Sequence, residues 1–307
     1  MQVAQTAMSQ TRIADLLSEA RTMGVARLDA QLLLAHHLQK SRAWLLAHDD
    51  QPVPAEPAAA VRDGLARRAT GEPLSYIVGS TAFCGLTLKV STSVLVPRPE
   101  TEDLVAWALQ GLRLGHVSGP VVDLGTGSGA IALAVLSGLA TDTASGTRAA
   151  TAAPAMQVSA TDASADALAI AAVNAQHLGL PLELLLGDWW APLTGRRFGM
   201  VISNPPYIAA ADPHLAALAH EPIEALTSGA DGLDALRTII AGAPGHLLPG
   251  GWLLLEHGHD QGPAVQQLLR AAGFGGIETR NDLAGLARCS RGVQACARHT
   301  QNPATRA

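Results

Sequence analysis

Cysteine is scarce in this sequence, with three thiols among 307 residues, at Cys84, Cys289 and Cys296. Their number is odd and their spacing is not that of metal ligands, so we expect reduced cysteines and no metal site. An uninterrupted apolar run of about 18 residues is also lacking, so no membrane span is expected. Because the first residues lack the basic segment and apolar run of a signal peptide, the cytoplasm is the expected location.

Basic residues are not in excess. Twenty-one Lys and Arg stand against 26 Asp and Glu, for a formal net charge of -5. Proteins that bind nucleic acid usually carry a basic patch or stripe, so we expect no direct nucleic-acid contact. The composition, 48% hydrophobic and 15% charged, is that of a globular chain with a substantial core.

The first quarter of the sequence favours helices. Apolar residues recur at helical spacing over 11–47, a proline-rich break covers 51–57, and a further helix is expected at about 58–70. We therefore predict a small helical domain over residues 1–74. Residues 75–97 are rich in β-branched and aromatic side chains with glycine at turn positions, which predicts a β-hairpin linker.

Strand and helix patterns alternate from about residue 118 onward. Short apolar strand segments are PVVDL, MQVSATD, LELLL, FGMVISN and GGWLLLEHG. This alternation predicts a Rossmann-like α/β domain over 98–307, with a parallel sheet covered by helices on both faces. The small, polar stretch 141–155 predicts a surface loop without function.

A glycine-rich turn, Asp123-Leu-Gly-Thr-Gly-Ser-Gly129, ends the first of these strands and opens a helix. Its three glycines permit a tight turn and a close approach of the backbone to a ligand. Dinucleotide and nucleotide sites also use such turns, and some bind nothing, so the turn alone leaves the ligand open.

Three features favour S-adenosylmethionine as that ligand. The spacing G-x-G-x-G differs from the G-x-G-x-x-G of the dinucleotide fingerprint. Asp123 places a carboxylate where a pyrophosphate would be repelled and an ammonium or sulfonium accepted. Asp162, at the end of the next strand, can accept hydrogen bonds from both ribose hydroxyls, although it could instead be a helix N-cap.

Asp188 and Trp189 follow the third strand of the pattern. The carboxylate could accept a hydrogen bond from an adenine amino group, and the indole could pack on the adenine ring. The alternative is a core or interdomain tryptophan, and Trp190 is the better candidate for that role.

The tetrad Asn204-Pro205-Pro206-Tyr207 follows the strand FGMVIS, at the sheet edge where ligands bind in such folds. Neither proline has an N–H, so the loop offers mainly acceptors: the Asn204 side-chain oxygen and the Pro205 carbonyl. Two acceptors and the Tyr207 ring suit a planar, conjugated NH2 group. Holding its hydrogens localises the nitrogen lone pair, so methyl transfer by in-line displacement needs positioning more than a strong base.

Two further segments carry weaker signals. Glu256-His257-Gly258-His259 resembles a metal tract, but its place at a strand end makes metal binding the less favoured interpretation. The run Pro97 to Glu102 is compatible with a capped helix start. Equally, Arg98 or Glu102 could close over the amino-acid end of the cofactor, and the sequence does not decide between these two possibilities.

Over roughly residues 10–295, the sequence resembles the release-factor glutamine N5-methyltransferases. NPPY alone also occurs in enzymes that methylate the amino groups of adenine and guanine, so the combination of motifs is the specific feature. The segments that carry the resemblance are Tyr76-Ile-Val-Gly79 with Phe83, Val96-Pro-Arg-Pro-Glu-Thr-Glu102, Asp123-Leu-Gly-Thr-Gly-Ser-Gly-Ala130, Asn174-Ala-Gln-His-Leu178, Ser203-Asn-Pro-Pro-Tyr-Ile208, Glu221-Pro-x-x-Ala-Leu-x-x-Gly229 and Leu254-Leu-Glu-His-Gly258.

The resemblance implies a class I S-adenosylmethionine-dependent methyltransferase domain with a seven-stranded, mostly parallel sheet. It also implies that the helical N-terminal domain helps to bind the substrate, the glutamine of a Gly-Gly-Gln motif in class I peptide-chain release factors. By position, Asn204 to Tyr207 would hold the glutamine. The cofactor would contact Gly125, Thr126, Gly127, Ser128, Gly129, Asp162, Trp189 and Asn204.

Other functions share part of this pattern. A glutamine methyltransferase of a ribosomal protein would differ in substrate docking. An adenine or guanine amino-methyltransferase shares the NPPY chemistry, but the net charge and the lack of a target-recognition domain argue against it. A non-catalytic binding protein would be expected to lose part of the tetrad, which is intact here.

Overall fold

The structure is a computed structural model that describes residues 10–144 and 156–295. The chain divides into two units, Met1–Ser80 and Thr81–Ala307. Among the described residues, no helix is both long and apolar enough to cross a membrane. The expected loop at 141–155 lies mostly outside these ranges, since the preceding helix continues to Ala144.

The described part of the N-terminal unit is helical. Apolar side chains three or four residues apart, such as Ile13, Leu16 and Ala20, form its buried core. Ser41 caps the third helix by accepting a hydrogen bond from the backbone N–H of Trp44. The helices are α1 (Ile13–Thr22), α2 (Arg27–Leu38), α3 (Arg42–Ala47), α4 (Ala55–Ala69) and α5 (Leu74–Val78).

Helix α4 begins earlier than the sequence predicts. It begins at Ala55, inside the segment 51–57 that we expected to separate the helices. Pro57 lies in its first turn, where no backbone N–H is needed for the helical hydrogen bonds, so a proline is tolerated there.

Residues 74–78 are helical, whereas the sequence pattern placed 75–97 in a β-hairpin linker. Leu74, Ile77 and Val78 pack against the apolar core of the N-terminal unit, and this burial outweighs the β-propensity of the segment. Only the stretch after Gly79 forms the hairpin.

The hairpin consists of β1 (Ser80–Phe83) and β2 (Leu86–Lys89). Cys84 and Gly85 connect the strands with φ of 47° and 75°, as a two-residue hairpin turn with positive φ at both positions requires. Phe83 and Leu88 are buried in the core of the second unit.

The second unit is built on one seven-stranded sheet, as predicted, with the order β5-β4-β3-β6-β7-β9-β8. Neighbouring strands from β5 to β7 are parallel, and β9 runs antiparallel to β7 and β8. Short 3-10 helices cover Ala191–Leu193, Pro213–Leu218 and Ile223–Ala225. The larger elements are α6 (Thr101–Arg113), β3 (Val121–Leu124), α7 (Ala130–Ala144), β4 (Val158–Asp162), α8 (Ala165–Leu178), β5 (Glu183–Leu186), β6 (Phe198–Ser203), α9 (Asp234–His246), β7 (Leu247–Glu256), α10 (Gly262–Ala271), β8 (Gly275–Asn281) and β9 (Ala287–Val293).

The sheet has an apolar core on each face. Along β3, Val121 belongs to the core that includes residues of α6 and α7, and Val122 to the core that includes residues of α9 and α10. This alternation follows from the two-residue period of a strand. Because both faces are covered, the central strands β3 and β6 are buried along their whole length.

Asn174 of α8 ties the hairpin to the glycine-rich turn. Its Oδ1 accepts from the backbone N–H of Lys89 at 2.7 Å, and its Nδ2 donates to the carbonyl oxygens of Lys89 at 3.0 Å and Ser128 at 2.9 Å. The side chain is fully buried, so these bonds replace all its contact with water. The motif around Asn174 therefore has a structural function: it fixes the turn against β2.

Gly111 of α6 provides a test of how closely the core that includes α6 and α7 is packed. A Cβ at this position would lie 2.5 Å from Cζ3 of Trp252 on β7, and the buried indole has to move to accept it. Gly111→Ala is expected to lower the free energy of unfolding by about 1–3 kcal/mol, measured by urea denaturation. The matched control is Gly245→Ala in α9, where no atom lies within 4 Å. It should be neutral or raise stability by up to ~1 kcal/mol, and equal losses in both variants would contradict the packing argument.

Candidate active site

A cavity of about 360 Å³ opens at the carboxyl ends of the central parallel strands. From β3 the chain moves to β4 and β5 on one side of the sheet and returns to β6 on the other. Such a switch point leaves a crevice between the loops, where open α/β sheets bind ligands. The cavity is lined by Ser93, Val94, Leu95, Gly125, Gly127, Thr161, Asp162, Ala163, Ser164, Ala167, Gly187, Asp188, Trp189, Asn204, Pro206, Pro222, Glu224 and Ala225.

The glycine-rich turn forms one wall of this cavity. Gly125, Gly127 and Gly129 have φ of 69°, 56° and 81°, in the left-handed region that favours glycine. A Cβ on Gly127 would meet no protein atom within 4 Å, so the absence of a side chain leaves that space to a ligand. A Cβ on Gly129 would lie 3.2 Å from Cβ of Ala171, so that glycine permits close packing on α8.

Asp123 lies beneath the turn and not in the cavity wall. The sequence suggested a direct role toward a ligand, but the side chain is fully buried and its Oδ2 accepts from the Thr126 hydroxyl at 2.6 Å. Burial raises the pKa of Asp123 to about 7, against the opposing effect of that hydroxyl. Thr126 and Ser128 are buried as well, so these side chains shape the turn from inside.

Asp162 lies in the cavity wall at the end of β4. Its Oδ2 accepts from the backbone N–H of Gly127 at 2.8 Å and its Oδ1 from that of Ser164 at 2.9 Å. The alternative that Asp162 is the N-cap of α8 is wrong, because Ser164 is the N-cap and accepts from the N–H of Ala167 at 3.1 Å. A carboxylate oxygen can accept more than one hydrogen bond, so Asp162 can bind the turn and a ligand hydroxyl together.

Asp188 and Trp189 line the cavity from the loop after β5. Trp189 has a φ of 40°, and its indole lies 3.3 Å from the position that a Cβ on Gly125 would take. Trp190 has the purely structural role: it stacks on His246 of α9 with ring centroids 4.5 Å apart. The two adjacent indoles thus point to different parts of the molecule.

The NPPY tetrad begins directly after β6, beside the glycine-rich turn, because Ser203 of β6 pairs with Leu124 of β3. Asn204 and Pro206 lie in the cavity wall, and the Asn204 Nδ2 donates to the Thr101 hydroxyl at 3.1 Å. Tyr207 packs on the core that includes residues of α9, and its hydroxyl donates to Glu256 Oε1 at 3.4 Å. Burial, followed by the nearby Glu256 carboxyl, raises the pKa of the Tyr207 phenol well above its usual range.

Arg98 and Glu102 have partners away from the cavity. Arg98 forms an ion pair with the buried Glu221, which also accepts from the backbone N–H of Val96 at 3.2 Å. Glu102 Oε1 accepts from the N–H of Cys84 in the hairpin turn at 2.8 Å. Both side chains therefore hold the segments that flank the cavity, and neither lines it.

Several cavity residues carried no signal of their own in the sequence. Ser93 to Leu95 are small or apolar residues on irregular backbone, and Pro222, Glu224 and Ala225 lie at a short 3-10 helix. The tertiary fold brings both segments to the cavity. Thr101 and Glu256 lie behind the tetrad, and the sequence pattern predicts no role in methyl transfer for either of them. A charged residue in an otherwise apolar strand end, as at Glu256, is the one signal that was present.

The Glu256-His257-Gly258-His259 segment does not offer a metal site. Both ring nitrogens of His257 have protein partners at 2.8 Å, the Gly258 carbonyl and the Ser290 hydroxyl. Burial lowers the pKa of His257, which favours the neutral ring. Within residues 10–144 and 156–295, no group of three or more potential metal ligands occurs.

The cavity fits S-adenosylmethionine in size and chemistry. Its volume is in the range of small-molecule sites, and it combines a carboxylate, an indole and a backbone turn free of side chains. Asp162 would hold the ribose, Asp188 and Trp189 the adenine, and the turn at Gly125 to Gly127 the amino-acid part.

Both parts of the chain match known protein families. Residues 10–79 match the PrmC N-terminal domain, and residues 104–230 match the methyltransferase small domain. The fold, the cavity at the switch point and this match define a Rossmann-like, S-adenosylmethionine-dependent methyltransferase.

The relatives narrow this class to one family. The Bordetella pertussis protein named release factor glutamine methyltransferase is 47% identical over 285 residues, covering 92% of this chain and 99% of that protein. The Xylella fastidiosa (strain Temecula1) protein of the same name is 49% identical over 271 residues, covering 87% and 93%. The chain belongs to the release factor glutamine methyltransferase family.

A solved structure is also similar. It is the release-factor-specific protein-(glutamine-N5) methyltransferase of Alicyclobacillus acidocaldarius, with 28% identity, a TM-score of 0.39, and coverage of 68% of this chain and 99% of that one.

Asp162 provides a test of the cofactor site. Asp162→Ala removes the acceptor for the Gly127 N–H and for a ribose hydroxyl, so the dissociation constant for S-adenosylmethionine should rise at least tenfold, or ~1.4 kcal/mol, by calorimetry. The matched control is Asp166→Ala on the exposed start of α8, which should bind with unchanged affinity. Equal binding by wild type and Asp162→Ala would exclude Asp162 from the site.

Proposed function

We propose that this protein transfers the methyl group of S-adenosylmethionine to the side-chain nitrogen N5 of the glutamine in the Gly-Gly-Gln motif of class I peptide-chain release factors. The main support is that Asn204 lies in the same cavity wall as Gly127 and Asp162. An amide acceptor thereby faces the place where the methyl donor is held. The names of the relatives, which are 43–49% identical in seven cases, support the same substrate class.

The hydrogen bonds of Asn204 indicate how it acts. Its Nδ2 is bound to the Thr101 hydroxyl, so Oδ1 is the side-chain atom left to accept from a substrate NH2 group. The carbonyl of Pro205 is the proposed second acceptor. Two acceptors on the two N–H hydrogens draw the nitrogen out of conjugation with its carbonyl and localise the lone pair.

S-adenosylmethionine, when bound, supplies an electrophilic methyl group. The contribution of the chain is to hold the amide nitrogen in line and to exclude other orientations. Pro205 and Pro206 stiffen the loop, and Gln261 fixes its far end by donating to the carbonyl of Tyr207 at 3.0 Å. The N-methylated amide is acidic and releases its extra proton without a strong base.

The N-terminal unit is the proposed docking domain for the release factor. Leu28 and Leu32, one turn apart on α2, are 48% and 36% exposed, and neighbouring exposed apolar side chains are typical of protein interfaces. The charge over residues 1–75 is balanced, with eight basic and eight acidic residues, which suits a protein partner better than nucleic acid.

The proposed location is the cytoplasm, where translation factors act. Cys84 and Cys289 are free thiols, as is usual in a reducing compartment.

The substrate proposal can be tested with labelled S-adenosylmethionine and purified protein. Four acceptors should be supplied separately: an unmethylated release factor, its Gln→Ala variant in Gly-Gly-Gln, ribosomal protein, and total nucleic acid. Label is expected on the wild-type factor alone, at the glutamine, by mass spectrometry. Label on ribosomal protein or nucleic acid instead would reject the release-factor substrate and support one of the two rival activities.

Asn204 provides the matching test within the enzyme. Asn204→Ala should lower kcat at least 100-fold, about 2.7 kcal/mol, because a preorganised acceptor at the reacting group is lost. The control is Asn281→Ala at the end of β8, an exposed position outside the cavity. Wild-type rates in Asn204→Ala would contradict the role given to the tetrad.

A further inference from the structure

Glu256 is a buried carboxyl group with no evident structural role. It ends β7, has no exposed surface, and its Oε2 has no hydrogen-bond partner among the described residues. Its Oε1 accepts from the Tyr207 hydroxyl at 3.4 Å. A buried polar atom without a partner lowers stability, so its presence beside the NPPY tetrad requires another explanation.

The groups around Glu256 come from three elements. Tyr207 lies on the tetrad, Arg288 and Cys289 on β9, and Glu100 precedes α6. Burial raises the pKa of Glu256 to about 7, and the Thr101 hydroxyl and Arg288 oppose this increase. The carboxyl group therefore changes its charge near neutral pH.

Thr101 connects Glu256 to the cavity. Its hydroxyl is buried, interacts with the Glu256 carboxyl group so as to lower the pKa of that group, and accepts from Asn204 Nδ2 at 3.1 Å. A hydroxyl has one proton to donate. When Thr101 donates that proton to an ionised Glu256, its lone pairs are free to accept, and Asn204 must present its NH2 to Thr101.

The direction of the hydrogen bond between Thr101 and Asn204 determines which atom of the Asn204 amide faces the cavity. With Nδ2 turned to Thr101, Oδ1 faces the substrate and can accept its N–H. If Glu256 were protonated, Thr101 could donate to Asn204 Oδ1 instead. The amide would then turn over and present an NH2 group to the substrate NH2, which cannot accept it.

We propose that Glu256 is a positioning residue for methyl transfer, which acts through Thr101 to keep the Asn204 side-chain oxygen directed at the substrate amide. Tyr207, which donates to the same carboxylate, is held by it as well. This inference rests on the proposed function of the tetrad and adds to it a proton-dependent control on the orientation of Asn204.

The test is a pH profile of kcat from about pH 5.5 to about pH 9, with a release factor as substrate. In the wild type, kcat should rise with pH through a value near 7, because the ionised form of Glu256 is the active one. Glu256→Gln should lower kcat about tenfold at pH 8 and remove the rise. Glu256→Asp keeps a carboxylate and should restore the rise. The KM for S-adenosylmethionine should not change, since Glu256 does not line the cavity.

The melting temperature of the protein distinguishes a positioning role of Glu256 from a purely structural one. The pKa of Glu256 is raised by folding, so its contribution to stability is present below its ordinary pKa and is lost as pH rises to about 7. At pH 8, Glu256→Gln should therefore melt at the same or a higher temperature than the wild type, despite its lower kcat. Glu278→Gln, at a half-exposed position on β8, is the control and should keep the wild-type pH profile of kcat.

A second pair of variants tests whether the Thr101 hydroxyl connects Glu256 to Asn204. Thr101→Val removes the hydroxyl with little change in volume and should lower kcat about tenfold, whereas Thr101→Ser should restore it. Thr279→Val on β8 removes a hydroxyl that bonds Gln266 and Ser290 and should keep the wild-type kcat.

Three outcomes would overturn the proposal. They are a wild-type kcat in Thr101→Val, a pH rise retained in Glu256→Gln, and a melting temperature of Glu256→Gln that falls together with kcat. Asp123 is the other buried carboxyl group with a pKa near 7, so a retained rise would be assigned to it. If the wild type methylates a different amide or amino group, the proposed substrate is wrong, and the same comparison is made on the substrate found.

Discussion

The position of β3 between β4 and β6 is the constraint on which the site depends. Each pairing is parallel and in register, so the chain leaves β3, β4 and β6 at the same edge of the sheet. The glycine-rich turn, Asp162 and Asn204 are the first functional groups after these strands. They are far apart in sequence, and the sheet alone brings them to one cavity. A change in strand order or a slip of one residue would separate them or turn them to the other face.

Side chains beneath the turn give this edge a single conformation. Asp123 holds Thr126 from below, Asp162 holds the N–H of Gly127 from the side, and Asn174 holds the carbonyl of Ser128. The bonds to Gly127 and Ser128 replace bonds that the backbone of an irregular loop would otherwise make with water, and the bond to Thr126 fixes its side chain. The turn is thus preorganised by buried acceptors and donors, and the glycines supply the conformations that those bonds require.

The sequence was sufficient for what depends on local pattern. The strand and helix alternation predicted a parallel α/β sheet, the family resemblance implied its seven strands, and the positions after β3, β4 and β6 predicted residues of the cavity wall. The structure departs from the sequence-based expectation at two places where tertiary packing decides. Packing against the N-terminal core favours a helix at 74–78, and Asp123 is buried beneath the turn, outside the cavity wall. The segment at Ser93 to Leu95 could not be predicted, because nothing in its composition distinguishes a cavity wall from any other loop.

Asp123 and Glu256 share an electrostatic property that local sequence pattern does not reveal. Each is a fully buried carboxyl group whose pKa is raised to about 7 by burial, so each makes the folded state less stable as pH rises toward neutrality. Asp123 accepts a hydrogen bond from the Thr126 hydroxyl at 2.6 Å, and its Oδ1 has no hydrogen-bond partner among the described residues. Glu256 has only a long bond from Tyr207, one unpartnered oxygen and the Thr101 hydroxyl nearby. Buried groups with strongly perturbed pKa values are concentrated at functional sites, and the hydroxyl of Thr101 connects Glu256 to Asn204. The ionised Glu256 carboxylate therefore lowers the stability of the folded state but favours the proposed orientation of the Asn204 side chain.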